Sequence, residues 1–161
     1  MALARSGDTA QSKTMLEAMR KAEPDNTVLK VYWFPVIEAS IAMQQSAPDR
    51  VIVALEPSLP YELGGNTTVI YPAYVRGQAY LAQRNGPAAA AEFQKFLDHK
   101  GIVSNFLFGS LAHLQLARAF ALSGDAAKTK AAYQDFFALW KDADLDIPIL
   151  KEAKAEYVKL Q

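Results

Sequence analysis

At 161 residues the chain has room for one folded domain with a continuous apolar core, but not for two ordinary domains. Apolar residues make up 51% and charged residues 21%, a globular balance that excludes an intrinsically disordered chain. Seventeen Lys and Arg match seventeen Asp and Glu, so the cation excess that nucleic-acid binding needs is missing, and the lack of cysteine excludes disulfides, thiolate metal sites and thiol nucleophiles.

Taken from the start, Met1 to Asp8 has neither a basic n-region nor a long apolar h-region, so it does not read as a signal peptide; it reads as a start inside a longer chain. Helix-favouring residues with apolar positions three and four apart then dominate, and the alternation of strands is absent. Stop signals fall at Gly7-Asp8, Glu23 to Asn26, Ser46 to Asp49, Pro57 to Asn66, Asn85 to Pro87, Gly101 to Asn105, Ser123 to Asp125 and Asp142 to Pro148. They predict an all-α chain with helices at 8–22, 27–45, 48–57, 67–84, 87–99, 104–122, 125–140 and 146–160. Pro35 falls inside the second of these and should kink it or delay its start. The longest aliphatic run, Val51 to Leu55, is far below the ~20 residues that a bilayer span needs, so membrane insertion is not expected.

The helices repeat. Tyr80-Leu81-Ala82 followed by Ala89 and Phe93 recurs 40 residues later as Phe120-Ala121-Leu122 followed by Thr129 and Tyr133. A fainter copy 38 residues earlier places Ala39, Ala42, Val51 and Leu55 at the positions of Gly77, Tyr80, Ala89 and Phe93. The spacing predicts one domain, 1–161, divided into a truncated first unit 1–26, units at 27–63, 64–103 and 104–145, and a closing helix 146–161. That last segment carries a stripe of Ile149, Leu150, Ala153, Tyr157 and Leu160, as expected of a cap that ends an array, with Asp146 as its N-cap.

Gly77, Tyr80, Ala89 and Phe93 in one unit, and Leu116, Ala117, Phe120, Gly124, Asp125 and Tyr133 in the next, resemble the tetratricopeptide repeat, whose unit spans about 34 residues. The resemblance implies a curved α-α superhelix of three and a half helix hairpins with a C-terminal capping helix. The departures are a longer period and Pro35, Ala73 and His113 at the family's tryptophan position. Pro60 to Gly64, Tyr74 to Leu81, Ala91 to Lys95, Leu122 to Asp125 and Tyr133 to Asp144 are further similar to the C-terminal repeat region of bacterial eukaryotic-type serine/threonine protein kinases, a kind plentiful in acidobacteria. That implies the non-catalytic end of such a protein. No Gly-rich phosphate loop, V-A-I-K lysine, H-R-D loop or D-F-G occurs in the chain.

In this repeat class the first helix of each hairpin lines a concave protein-binding groove. Counted from Ala39, Gly77 and Ala117, the groove positions are Trp33, Val36, Ser40 and Met43; Tyr71, Tyr74, Gln78 and Leu81; and Leu111, Leu114, Arg118 and Ala121. The expected groove is apolar and aromatic with one cation, and Trp33, Tyr71 and Tyr74 are the residue types that anchor interfaces. The alternative is that these rings pack between repeats. Glu38 and Arg76, at matching positions in successive hairpins, are expected to meet as an ion pair.

Catalytic and metal readings are weak. His99 and His113 have no serine or carboxylate at a motif spacing, so a helix-end role for His99 and packing for His113 suffice. Asp142, Asp144 and Asp146 begin like a calcium loop, but Ile147 and Ala153 occupy the positions that need Gly and Glu. The expected function is a non-enzymatic scaffold without cofactor or metal that binds a protein or peptide in the groove. Self-association as a homo-oligomer is the alternative, and a small hydrolase or metal enzyme a remote one. Neither partner nor compartment follows from the residues.

Overall fold

The computed structural model describes residues 1–64 and 70–160, and every regular element among them is helical. The α-helices are α1 (Ala2–Arg5), α2 (Thr9–Ala22), α3 (Phe34–Gln44), α4 (Pro48–Leu55), α5 (Tyr71–Ala82), α6 (Gly86–Asp98), α7 (Lys100–Val103), α8 (Leu107–Leu122), α9 (Ala126–Leu139) and α10 (Pro148–Val158). The expected helices lie within a few residues of these bounds, except that the segment expected at 27–45 is α-helical only from Phe34, after a π turn over Leu29–Trp33. A second exception is the start expected at 67, which falls outside the described residues together with part of the Gly64 to Asn66 turn. The short helices α1 and α7 were not expected, nor was the 3₁₀ turn Glu56–Tyr61 that follows α4.

The same turn closes α1, α3, α5 and α8. At each, one residue adopts the left-handed conformation: Gly7, Ser46, Arg84 and Gly124, with φ of 95, 54, 58 and 75°. The next amide, from Asp8, Ala47, Asn85 or Asp125, reaches back five residues to the carbonyl of Leu3, Ala42, Tyr80 or Phe120 at 2.9 to 3.1 Å. The left-handed residue's own amide reaches back three. This is the Schellman arrangement, which satisfies carbonyls that the helix end would otherwise orphan. The residue that ends the turn also starts the next helix, and the side chains of Asp8, Asn85 and Asp125 accept from the amides of Gln11, Ala88 and Lys128. Ala47 has no such side chain, and Pro48 at the first position of α4 takes its place. The sequence spacing of 38 to 40 is therefore the spacing of one backbone device.

The α-helical part of the segment expected at 27–45 starts only at Phe34, with Pro35 at its second position. Helical backbone begins at residue 27, capped by Asn26, whose side chain accepts from the Leu29 amide. A π turn over Leu29–Trp33 then admits the ring, with the Phe34 amide donating to Leu29 five residues back.

The hairpins pack in chain order, α3 on α4, α4 on α5, α5 on α6, α6 on α8 and α8 on α9. Gly77 allows the third hairpin to close, since a Cβ there would lie 2.6 Å from Cζ of Phe93. One apolar cluster runs from Tyr32 to Ala119 and includes Val36, Leu55, Phe93 and Phe96; a second joins Leu114 and Ala117 of α8 to Tyr133, Phe136, Leu150 and Ala153. Packing α10 into that second cluster covers the far side of α8. Its start differs from expectation: Ile147, not Asp146, precedes the first turn and no side chain caps it.

Candidate functional site

Glycine and alanine at the helix crossings bring the face predicted as a groove so close together that its own side chains fill it. Tyr71 and Tyr74 are each only 2% exposed, and Val36 and Leu114 are fully buried. The two tyrosines are covered by Phe108, whose ring lies 4.8 Å from that of Tyr71 and 4.6 Å from that of Tyr74 and is itself packed on Phe106. Phe93 and Phe96 meet Tyr74 edge-on from behind, and Gln115 donates to its hydroxyl at 3.3 Å. Arg5, from α1, donates to the Tyr71 hydroxyl and places its guanidinium 5.7 Å from the centre of the Phe108 ring. The four buried residues therefore offer a partner no surface, which corrects the expected groove at those positions.

The remaining predicted positions divide. Met43 and Gln78, with Ser40, Tyr71 and Arg5, line a small cavity of about 130 Å³. Ser40 is turned inward, donating to the Val36 carbonyl at 2.8 Å. Trp33 and Leu81 are half-buried, Trp33 edge-on to Tyr32 at 5.0 Å; Leu111 is half-buried and Ala121 exposed. Arg118, the expected cation of the groove, is already committed: its Nε and Nη2 donate to the two carboxylate oxygens of Glu156 on α10 at 2.9 and 2.8 Å. The Tyr133 hydroxyl donates to the same carboxylate at 2.7 Å. Burial pushes the Glu156 pKa up, but the bonds from Arg118 and Tyr133 outweigh it and hold the carboxyl below its usual range.

The expected pair of Glu38 and Arg76 does not form. Glu38 is bound to Arg20, whose guanidinium also lies over the Phe34 ring. Arg76 is 3% exposed and binds Glu62 and Glu92, each at 2.7 Å through Nη2, while Lys95 bridges the same carboxylates at 2.7 and 2.9 Å. Its Nη1 is buried without a hydrogen-bond partner. Two cations and two carboxylates tie the end of the 3₁₀ segment to α5 and α6. The Glu92 and Lys95 spacing of one helical turn was readable, whereas the burial of Glu62 had no sequence signal.

Neither histidine meets a nucleophile. The His99 ring nitrogen Nδ1 lies 2.9 Å from the Lys95 carbonyl at the end of α6. Burial lowers the His113 pKa, against the pull of the Asp135 carboxylate, and its Nδ1 is buried without a partner. Asp142, Asp144 and Asp146 are exposed, and no group of three or more metal-binding side chains occurs among the described residues. No helix among them is long and apolar enough to cross a membrane.

Open apolar surface lies elsewhere. His113 belongs to the wall of a groove of about 540 Å³ formed where α6, α7, α8 and α9 converge, with Phe96, Leu97, Phe106, Leu107 and Leu139. Leu107 and Leu139, at the start of α8 and the end of α9, are 60% and 58% exposed. Sequence reading missed this site, although Phe106-Leu107-Phe108 and Leu139-Trp140 at helix ends were a visible sign of apolar side chains beyond the packed turns. A second groove, about 510 Å³, separates α2 from α3 and α4 over Leu16, Ile41 and Val53. Comparison of the chain with protein-family models, with curated proteins and with solved structures gives no match.

Proposed function

We propose that the chain is a non-catalytic protein-docking array, built of tetratricopeptide-like helix hairpins, that captures a partner in the groove between α6 and α9. The observation that carries this is the exposure of Leu107 and Leu139 beside a concave apolar wall, since large side chains left in water around a groove are what a docking surface requires. The fourfold Schellman turn supports the repeat reading, and the likeness to the C-terminal repeat region of bacterial serine/threonine kinases supports a regulatory or docking role within a larger protein. The partner is held here on the outside of the hairpin stack rather than on the face carrying Tyr71 and Tyr74. A photo-crosslinking amino acid in place of Leu139 should give a discrete adduct in cells, with none from the same residue in place of Lys130 on the exposed side of α9. Equal labelling from both positions would sink the proposal.

Self-association is favoured by a different observation, the open groove between α2 and α4 together with Met15, half exposed on α2. Sedimentation across a hundredfold concentration range separates the two readings: a constant monomer mass excludes the second.

A further inference from the structure

The turn between α5 and α6 is built on Asn85-Gly86, and packing accounts for both residues. Asn85 caps α6, its side-chain oxygen accepting from the Ala88 amide at 3.2 Å; Asp8 and Asp125 do the same in the matching turns. Gly86 is buried against the end of α8, where a Cβ would collide with Oγ of Ser123 and lie 2.6 Å from the Ala119 carbonyl oxygen. The other turns place Thr9, Pro48 and Ala126 after the cap, so the glycine answers to the neighbouring hairpin and not to the turn. This contact fixes a pair with a reactivity of its own. A glycine amide, with no side chain to shield it, can approach the carboxamide of the residue before it. Asn26, Asn66 and Asn105 precede Thr27, Thr67 and Phe106, whose side chains hinder that approach.

We propose that Asn85 is a site of spontaneous deamidation, held in check by the cap of α6 and released whenever that turn opens. The Gly86 amide nitrogen bonds to the side-chain carbonyl carbon of Asn85, the bond from that carbon to Nδ2 breaks, and ammonia leaves with the Gly86 amide proton. Water then opens the five-membered imide at either carbonyl. One product is aspartate at position 85; the other is isoaspartate, whose main chain runs through the side-chain carbon and is one carbon longer. Asn85 is exposed, so water reaches it, but the fold blocks the first step. At its ψ of 79° the Gly86 nitrogen lies across the Cα–C bond from Cβ, whereas ring closure needs the two on the same side. The bond to Ala88 meanwhile holds the carboxamide towards the helix. The two products have opposite consequences. Aspartate restores the cap in the form of Asp8 and Asp125, with a charge that suits the positive end of α6. Isoaspartate displaces Gly86 from a contact with Ser123 that has no slack, and so loosens α6 from α8.

The test ages the whole chain in mildly alkaline buffer, folded and in unfolding urea, and maps its peptides by mass spectrometry with the aspartate and isoaspartate forms separated. In urea Asn85 should react before the other three asparagines. The folded chain should react at the same residue at least ~tenfold more slowly, because the reaction waits on local opening. Asn85→Ser, which keeps a capping oxygen without a carboxamide, should give neither product at this position. Amides of α6 should exchange about tenfold faster in the refolded isoaspartate fraction than in the parent, or that fraction should fail to refold, while Asn85→Asp matches the parent. First reaction at another asparagine overturns the site. A folded chain that reacts as fast as the unfolded one overturns the protection by the cap, and parental exchange in the isoaspartate fraction overturns the loosening of α6.

Discussion

The Ser58 hydroxyl donates to the Val31 carbonyl at 3.0 Å, in the π turn just ahead of Pro35, where the missing proline amide leaves the backbone one donor short. An α-helix would pair Val31 with the amide four residues on, and proline has none. The 3₁₀ segment after α4 therefore supplies a side-chain donor to a helix begun some thirty residues earlier, and Ser58 is buried to do so. Ser58→Ala should cost about 1–3 kcal/mol, the penalty for a buried acceptor left unpaired. Urea unfolding would show it as a lower midpoint at unchanged slope. A midpoint within error of the parent would mean that water replaces the hydroxyl without loss.

Arg84 holds a left-handed backbone that its neighbours in the repeat give to glycine twice. Its side chain is exposed, so nothing obvious is lost by removing it. A non-glycine residue in this conformation costs about 1–2 kcal/mol, partly offset by the greater freedom of glycine in the unfolded chain. Arg84→Gly should therefore raise stability by about 0.5–1 kcal/mol, or roughly 2–4 °C in thermal midpoint. Gly124→Ala should move it the other way, because its φ of 75° has no glycine to relieve it.

Glu62→Gln should be among the most damaging single changes available, since it removes one carboxylate from a buried guanidinium that already has an unpaired nitrogen. Breaking a buried pair this way costs about 3–5 kcal/mol. Replacing both partners with apolar groups, Glu62→Leu with Arg76→Met, should cost less than the single change, because no stranded charge remains. Chemical denaturation of the single and double variants decides it; a double variant worse than the single would show that the ion cluster contributes net stability.

The Arg118 and Glu156 pair predicts how α10 responds to acid. The folded pKa of Glu156 is depressed, so the pair's contribution is complete above the ordinary glutamate value of ~4.3 and is lost as pH falls through the lower folded value. Amide exchange in α10 should accelerate below about pH 4 before that in α5 and α6 does. In Glu156→Gln, α10 should already exchange faster at pH 7 and lose most of this acid dependence.

Much of the architecture was legible because helix ends leave local marks. Gly124-Asp125 and Asn85-Gly86-Pro87 announce a turn and a cap by themselves, and the apolar stripe of α10 requires a packed face. Ser46 and Arg84 are not residue types that mark a left-handed position, yet they adopt the same turn, in which the carbonyls of Ala42 and Tyr80 find their donors. The side of each helix that faces its neighbours could be read from Ala39, Gly77 and Ala117. What fills that side could not: Phe108 and Arg5 come from other hairpins, and only the three-dimensional crossing of α1, α5 and α8 brings them over Tyr71. Likewise, Arg76 was matched to Glu38 by register in the repeat, whereas its actual partner, Glu62, stands on an irregular segment that no register describes.

The division of the apolar interior into two clusters makes α8 a party wall. Ala112, Leu116 and Ala119 belong to the first cluster, Leu114 and Ala117 to the second, with Leu111 and Phe120 touching both. During synthesis the first cluster can close once Leu122 has emerged, but at that moment the wall has a bare side. It stays bare until α9 and then Leu150 and Ala153 of α10 arrive. For that interval the nascent chain carries an adhesive strip on a helix that is otherwise finished, and the last thirty-odd residues act as its covering as much as its continuation.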